Sequence, residues 1–256
     1  METLEPGMWL VLGLVALLAG FIDAVAGGGG MLTVPALLSI GLPPHIALGT
    51  NKLAATFASS TAAWTYYKKK LFSPSFWRQS FIATLIGATG GTLVVDMLST
   101  EWLEKILPLL ILAAAIYTIW HPHPKGSNRS LPEKSASLTK KQWLQGISLG
   151  FYDGVAGPGT GAFWTVSNMA LYRLEILMAS GLAKAMNFTS NLTSLVTFAI
   201  LGHINVILGL TMGVCLMIGA YIGAHSAIRF GARFIRPVFV TVVIILAIKL
   251  ALQAWF

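Results

Sequence analysis

Two aspartates stand at matching places in a short stretch that occurs twice in the chain. The stretch reads GFIDAVAGGGG over residues 20–30 and GFYDGVAGPGT over residues 150–160, and seven of its eleven positions are identical. Asp23 and Asp153 can carry a proton or pair with a cation, because burial and neighbouring charges decide whether a carboxyl group is ionised. We therefore predict a proton-coupling or site-shaping role for both. The alternative is that each aspartate only caps backbone N–H groups at the adjacent glycines.

Two lysines lie inside long apolar segments, again at matching positions: Lys52 and Lys184. A charged ammonium group inside hydrocarbon is costly, so it normally faces a partner or a cavity. We predict that each lysine binds an anion or pairs with one of the two aspartates. The alternative is that each side chain extends to the lipid headgroups.

Further polar residues share a face with these lysines, at spacings of three, four or seven residues that align side chains along a helix. The predicted substrate-binding set on the two segments is Asn51, Lys52, Ser59, Lys184, Asn187 and Asn191. Alternatively, the uncharged members only hold membrane helices together. Gly29, Gly30, Gly159 and Thr160 open two short apolar segments and join this set, because a helix N-terminus offers free N–H groups to an anion. A turn that merely packs tightly is the alternative there.

The composition is that of a membrane protein. Hydrophobic residues make up 55% of the 256-residue chain and charged residues 10%, with a mean hydropathy of +0.75. Soluble domains carry about 25% charged residues, so we predict an all-α polytopic protein in a lipid bilayer. The net charge is +8, and the basic residues lie mostly in short loops, where positive charge sets membrane orientation. The charge therefore does not indicate nucleic-acid binding. No metal or cofactor is expected, because no Cys/His cluster has metal-ligand spacing.

The repeat extends over the whole chain and divides it into two halves. We predict a first half over residues 1–120, a cytoplasmic linker over 121–141 and a second half over 142–256. Each half has one helix-length run, the glycine stretch, a short apolar run and three longer runs. The predicted segments are 9–26, 31–41, 46–67, 79–98 and 103–120, then 143–156, 161–171, 180–201, 206–228 and 234–253. Two pairs of glycines, Gly87 with Gly91 and Gly219 with Gly223, predict close helix packing.

The loop charges indicate that the two halves cross the membrane in opposite directions. Residues 68–70 are three lysines, whereas the matching loop 202–205 has no Lys or Arg. Conversely, Glu101 and Glu104 follow the second long run of the first half, with only Lys105 basic, whereas the matching region has Arg229, Arg233 and Arg236. Basic loops stay in the cytoplasm, so both termini are predicted outside. The pattern is an inverted-topology repeat, which is typical of transporters.

Inversion requires an odd number of crossings in each half, and three long runs already supply three. The glycine stretch with its two arms must then enter and leave on the same side. Its second arm of about 11 residues would span about 16 Å as a helix, about half of the hydrocarbon core. We predict a re-entrant helical hairpin with a glycine tip in each half, with both tips near the membrane midplane. Full crossing by both arms is the alternative.

The stretches GFIDAVAGGGGMLTVPALL, ALGTNKLAATFASS and GFYDGVAGPGTGAF resemble the signatures of the TauE/SafE family, also called the toluene-sulfonate uptake permease family. The resemblance spans nearly the whole chain. It implies transport of a small organosulfur anion, such as sulfite, sulfoacetate or another sulfonate. It does not distinguish between these substrates, or between import and export.

We therefore expect a secondary transporter in a bacterial inner membrane, working by alternating access around the hairpin tips and coupled to protons. A homodimer is compatible with the sequence, and no enzymatic activity is expected. An anion channel is one alternative. Another is an intramembrane aspartyl protease that uses Asp23 and Asp153, although the lysines would then have no role.

Overall fold

The computed structural model describes residues 5–107, 109, 130–231, 234, 235 and 237. Every long element in these ranges is a helix. In chain order they are α1 (Pro6–Ala26), α2 (Gly30–Ser39), α3 (Pro44–Lys68), α4 (Arg78–Met97), α5 (Ala136–Val155), α6 (Thr160–Tyr172), α7 (Ile176–Ile200) and α8 (Val206–Phe230). Residues 100–107 are helical as well. Most of the predicted segments 103–120 and 234–253, and much of the predicted linker, lie outside the described residues.

Local sequence signals explain where these helices begin and end. Pro6 lies in the first turn of α1, where its missing N–H costs nothing, and Gly27 ends the helix with a left-handed φ of 83°. α5 begins seven residues before the predicted start, because the Ser135 side chain accepts a hydrogen bond from the Leu138 N–H and caps it. Asn205 caps α8 in the same way.

The prediction of a helical membrane protein is confirmed. Three of the described helices, α1, α4 and α8, are long and apolar enough to cross a membrane. α3 and α7 are each 25 residues long but carry more polar residues, many of them buried inside the protein. These two helices occupy the centre of the bundle and carry the candidate site.

α3 and α7 pack against each other as antiparallel helices. Gly49, near the start of α3, lies against Phe198 near the end of α7, and Gly181, near the start of α7, lies against Tyr66 near the end of α3. Lys52 and Lys184 are each the ninth residue of their helix. The two lysines are therefore in matching places on antiparallel helices.

The two predicted glycine pairs are confirmed as sites of close helix packing. A Cβ atom at any of these glycines would collide with the backbone of the neighbouring helix, so a larger residue would force the helices apart. Gly219 and Gly223 of α8 face Leu17 and Phe21 of α1, and Gly87 and Gly91 of α4 face Ile147 and Phe151 of α5. In both pairs the residue numbers rise together, so α1 runs parallel to α8 and α5 runs parallel to α4.

Candidate functional site

The two glycine turns touch each other. The first turn, residues 27–29, joins α1 to α2, and the second, residues 156–159, joins α5 to α6. The Ala162 N–H donates a hydrogen bond of 3.2 Å to the Gly27 carbonyl oxygen, and a Cβ on Gly27 would overlap the backbone of Gly161. Gly30 lies beside Pro158. Only glycine permits backbones to meet this closely, which explains the glycine content of the repeated stretch.

Lys52 is fully enclosed by acceptors from the second half of the chain. Its Nζ donates to Asp153 Oδ1 at 2.8 Å, to the Asp153 main-chain oxygen at 2.5 Å and to Asn191 Oδ1 at 3.3 Å. The side chains of Lys52 and Asp153 are 1% and 2% exposed. Thr160 Oγ1 donates to Asp153 Oδ1 at 3.3 Å, and the Ser190 hydroxyl donates to Asp153 Oδ2. Both charges are thus paired and hydrogen-bonded, as burial of an ion pair requires.

Lys184 makes the reciprocal contact with the first half. Its Nζ donates to the main-chain oxygen of Asp23 and lies 3.6 Å from Asp23 Oδ2. Asp23 Oδ1 accepts a longer bond of 3.3 Å from the Gly29 N–H. The Lys184 side chain is 1% exposed and that of Asp23 is 14% exposed. This pair is therefore looser and closer to solvent than Lys52–Asp153.

Each lysine thus pairs with the aspartate of the opposite half, a choice that the sequence left open. Extension of the lysines to lipid headgroups is ruled out by their burial and by the direction of their bonds. Gly157 and Gly161 lie beside the two Nζ atoms, Gly157 beside that of Lys52 and Gly161 beside that of Lys184. The two ammonium groups therefore flank the second glycine turn.

Two of the predicted substrate ligands are engaged elsewhere. Asn51 Oδ1 accepts a 2.5 Å hydrogen bond from Thr33 Oγ1, which ties α2 to α3. Ser59 Oγ donates to the Ala55 carbonyl oxygen of its own helix at 2.7 Å. Asn191 contacts Lys52, whereas Asn187 is 5% exposed and its side chain makes no hydrogen bond within the described part of the chain. The polar groups at the ion pairs therefore come mainly from α7.

Sequence reasoning missed two hydroxyls. Thr33 and Ser190 were not in the predicted set, although both are buried and bond to predicted members. Ser190 lies next to Asn191 and six residues after Lys184, which is not one of the spacings of three, four or seven. Spacing from the lysine therefore excluded it, and only the position of Asp153 makes it a ligand.

A groove of about 440 Å³ lies between α5 and α6. Residues of one face of α5 line it, from Lys141 through Gln145 and Ser148 to Tyr152. The Tyr152 hydroxyl donates at 2.7 Å to the Pro158 carbonyl oxygen in the second glycine turn. The groove thus runs along α5 from Lys141 to Tyr152, the residue before Asp153.

The two aspartates each bind an ammonium group, so this arrangement does not favour a protease. Such an enzyme needs two carboxyl groups that share a proton between them. Buried charges of opposite sign at the meeting point of two irregular turns are typical of membrane transport proteins. Helical membrane transporters are the class that this fold and site indicate.

The comparisons with known proteins agree with that class. The chain belongs to the sulfite exporter TauE/SafE family, whose model matches residues 12–250. A probable membrane transporter protein of Haemophilus influenzae is 36% identical over 94% of this chain and 94% of its own length. The probable membrane transporter protein YfcA of Escherichia coli K12 is 34% identical over 96% of this chain and 90% of its own. The probable membrane transporter protein ORF9 of a Sinorhizobium species is 35% identical over 98% of this chain and 95% of its own length. No solved structure matches the chain.

Proposed function

We propose that this membrane transporter is a secondary carrier that moves a small organosulfur anion, such as sulfite, sulfoacetate or another sulfonate, together with protons. The observation that carries the proposal is the pair of buried lysine–aspartate contacts between the halves, at the point where the glycine turns meet. The TauE/SafE family supports the organosulfur class. The proposed setting is a bacterial inner membrane, with both termini outside and the linker in the cytoplasm.

Charge balance explains why an anion and a proton would travel together. With both aspartates ionised and both lysines protonated, the two pairs sum to zero charge. An anion that enters alone would add an uncompensated charge in a low-dielectric site, which is costly. A proton on one aspartate removes that cost, because the released lysine then pairs with the anion.

The contacts between helices support an inverted repeat. Corresponding helices α3 and α7 are antiparallel, and the packing of α1 on α8 has its counterpart in that of α5 on α4. His45 at the start of α3 contacts the Leu98 carbonyl oxygen after α4 and stacks on His203 in the loop after α7. His203 also binds Asp96 at 2.7 Å. All these segments belong on the outer side in the orientation that the loop charges predict.

The same contacts support re-entrant hairpins. α1 runs parallel to α8, which begins directly after the loop that contains His203, and α3 begins beside that loop. The chain from α1 through α2 would then enter and leave on one side. Hairpins from opposite sides that meet at their glycine tips could open alternately to each side. The groove that begins at Lys141 is the proposed path from the cytoplasm.

Uptake by purified protein in liposomes tests this function. Wild type and Lys184→Ala would be compared for uptake of sulfite, sulfoacetate and a simple aromatic sulfonate, with and without an inward proton gradient. Lys105→Ala is the matched control, because that lysine is 65% exposed and pairs with Glu101 on the surface. We expect one anion to accumulate with the gradient, a loss of about tenfold or more in Lys184→Ala, and normal uptake in the control.

Other outcomes would contradict the proposal in distinct ways. If wild type moves none of these anions, the substrate class is wrong. If Lys184→Ala transports as well as the control, the anion does not use this lysine. Flux that ignores the proton gradient and exceeds about 10³ per second would indicate a channel, because carriers turn over at the rates of conformational steps.

A further inference from the structure

The two ion pairs are not equivalent, although the repeat makes them look so. Asp153 accepts hydrogen bonds from three side chains, those of Lys52, Thr160 and Ser190. Among the described residues, the Asp23 carboxylate accepts the Gly29 N–H at 3.3 Å, and its Oδ2 atom lies 3.6 Å from Lys184 Nζ. One carboxylate is enclosed, and the other has room for another partner.

The difference originates in two substitutions between the halves. Thr160 is the first residue of α6, and the first residue of α2 is Gly30. Ser190 is the fifteenth residue of α7, and the fifteenth residue of α3 is Ala58. Both hydroxyls that satisfy Asp153 are therefore absent from the corresponding positions around Asp23.

The central helices differ in the same sense. One face of α7 carries Lys184, Asn187, Asn191 and Ser194, whereas the corresponding face of α3 carries Lys52, Ala55, Ser59 and Ala62. Within the part of the chain that the structure describes, the Ser194 hydroxyl is buried without a hydrogen-bond partner, and the Asn187 amide makes no hydrogen bond. Unsatisfied buried polar groups are costly. The Ser194 hydroxyl and the Asn187 amide therefore leave hydrogen-bonding capacity on the Lys184 face that a ligand can use.

We propose that the two ion pairs have different tasks: Asp23 takes up and releases the proton, Lys184 binds the anion with Asn187, and Lys52–Asp153 stays closed as a structural clamp. This division of tasks rests on the proposed function. A proton that binds the Asp23 carboxylate leaves Lys184 with its positive charge, and the oxygens of one anionic group of the substrate, such as a sulfonate, replace the carboxylate there. When the anion leaves, Asp23 releases its proton and pairs with Lys184 again.

The surroundings of Asp23 allow this exchange. Two titratable groups of the described residues lie at Asp23: Lys184 of α7 and Tyr66 of α3. The Tyr66 hydroxyl donates to the carbonyl oxygen of Ala24, the residue after Asp23. Asp23 and Lys184 therefore form a site with one labile charge, whereas Lys52 has all three donors engaged by Asp153 and Asn191.

Infrared titration of the purified full-length protein tests the proposal without a substrate. The absorption of a protonated carboxyl group would be followed as the pH is lowered, in wild type, Asp23→Asn and Asp153→Asn. We expect a titrating band that Asp23→Asn loses and Asp153→Asn keeps. Loss of the band in Asp153→Asn alone, or the absence of any titrating buried carboxyl group, would overturn the proposal.

Milder variants keep the test decisive if Asp153→Asn does not fold. Ala58→Ser and Gly30→Ser each restore a hydroxyl that the second half has, and a Cβ at Gly30 would only touch Pro158 at 3.4 Å. A new hydrogen bond to the ionised carboxylate favours the ionised form, so it should move the midpoint of the Asp23 band to lower pH. Ser190→Ala, the matched removal in the other half, should leave that midpoint unchanged. If Ser190→Ala moves the midpoint and neither Ala58→Ser nor Gly30→Ser does, the proposal is wrong.

The result of the infrared titration is independent of the result of the uptake assay. If no organosulfur anion is transported but the carboxyl band belongs to Asp23, the substrate class is wrong and the division of tasks stands. If uptake occurs but the band belongs to Asp153, the function stands and the assignment of tasks is wrong.

Discussion

Replacement of Lys52 by alanine should destabilise the protein strongly. The change removes three hydrogen bonds at once and leaves Asp153, which is 2% exposed, with only the hydroxyls of Thr160 and Ser190. Removal of one partner from a buried pair costs about 3–5 kcal/mol, because the remaining charge is uncompensated. Lys184→Ala should cost less, about 1–3 kcal/mol, since Asp23 is 14% exposed and its carboxylate is 3.6 Å from the ammonium group.

The free energy of unfolding can be measured by SDS titration of the detergent-solubilised protein, followed by circular dichroism. Lys105→Ala is again the control and should change the free energy by less than about 1 kcal/mol, as expected for an exposed pair. The double variant Lys52→Met/Asp153→Asn should be more stable than Lys52→Ala, because it leaves no buried charge. If Lys52→Ala is as stable as the control, the enclosed pair in the structure is not a stabilising contact, and the reasoning fails.

Two further predictions concern the turns and the orientation. Gly27→Ala should destabilise the protein by more than about 1 kcal/mol in the same unfolding assay, because Gly27 has a φ of 83° and a Cβ there would overlap the Gly161 backbone. If the Gly27→Ala variant is as stable as wild type, the two turns do not meet as described. In a cysteine-free background, Glu101→Cys should react with an impermeant thiol reagent added outside intact cells. Lys69→Cys should react with the reagent only after the membrane is opened. The reverse pattern would contradict the predicted orientation.

The contrast between the two pairs has a consequence for evolution of the site within one chain. A duplicated unit starts with equal halves, and two residues, Thr160 against Gly30 and Ser190 against Ala58, are enough to make one carboxylate enclosed and the other open. A symmetric scaffold can in this way hold one enclosed ion pair and one more open ion pair.

Most of the helical architecture could be predicted from the amino-acid sequence. Apolar segments separated by glycine, proline and charged loops define helices in a membrane, since every backbone polar group must be satisfied within the segment. The predicted starts of α2, α3, α4, α6 and α8 lie within two residues of the observed ones. The sequence also identified the lysines and aspartates, because charges inside apolar runs are conspicuous.

The tertiary structure alone decided which groups meet. Lys52 and Asp153 are 101 residues apart and Lys184 and Asp23 are 161 apart, and no helical spacing relates positions on different segments. For the same reason, periodicity grouped Asn51 and Ser59 with Lys52 but could not reveal that Thr33 and the Ala55 carbonyl oxygen engage them. The helical repeat determines which side chains share a face, whereas the packing of two distant turns determines which carboxylate is enclosed and which stays partly exposed.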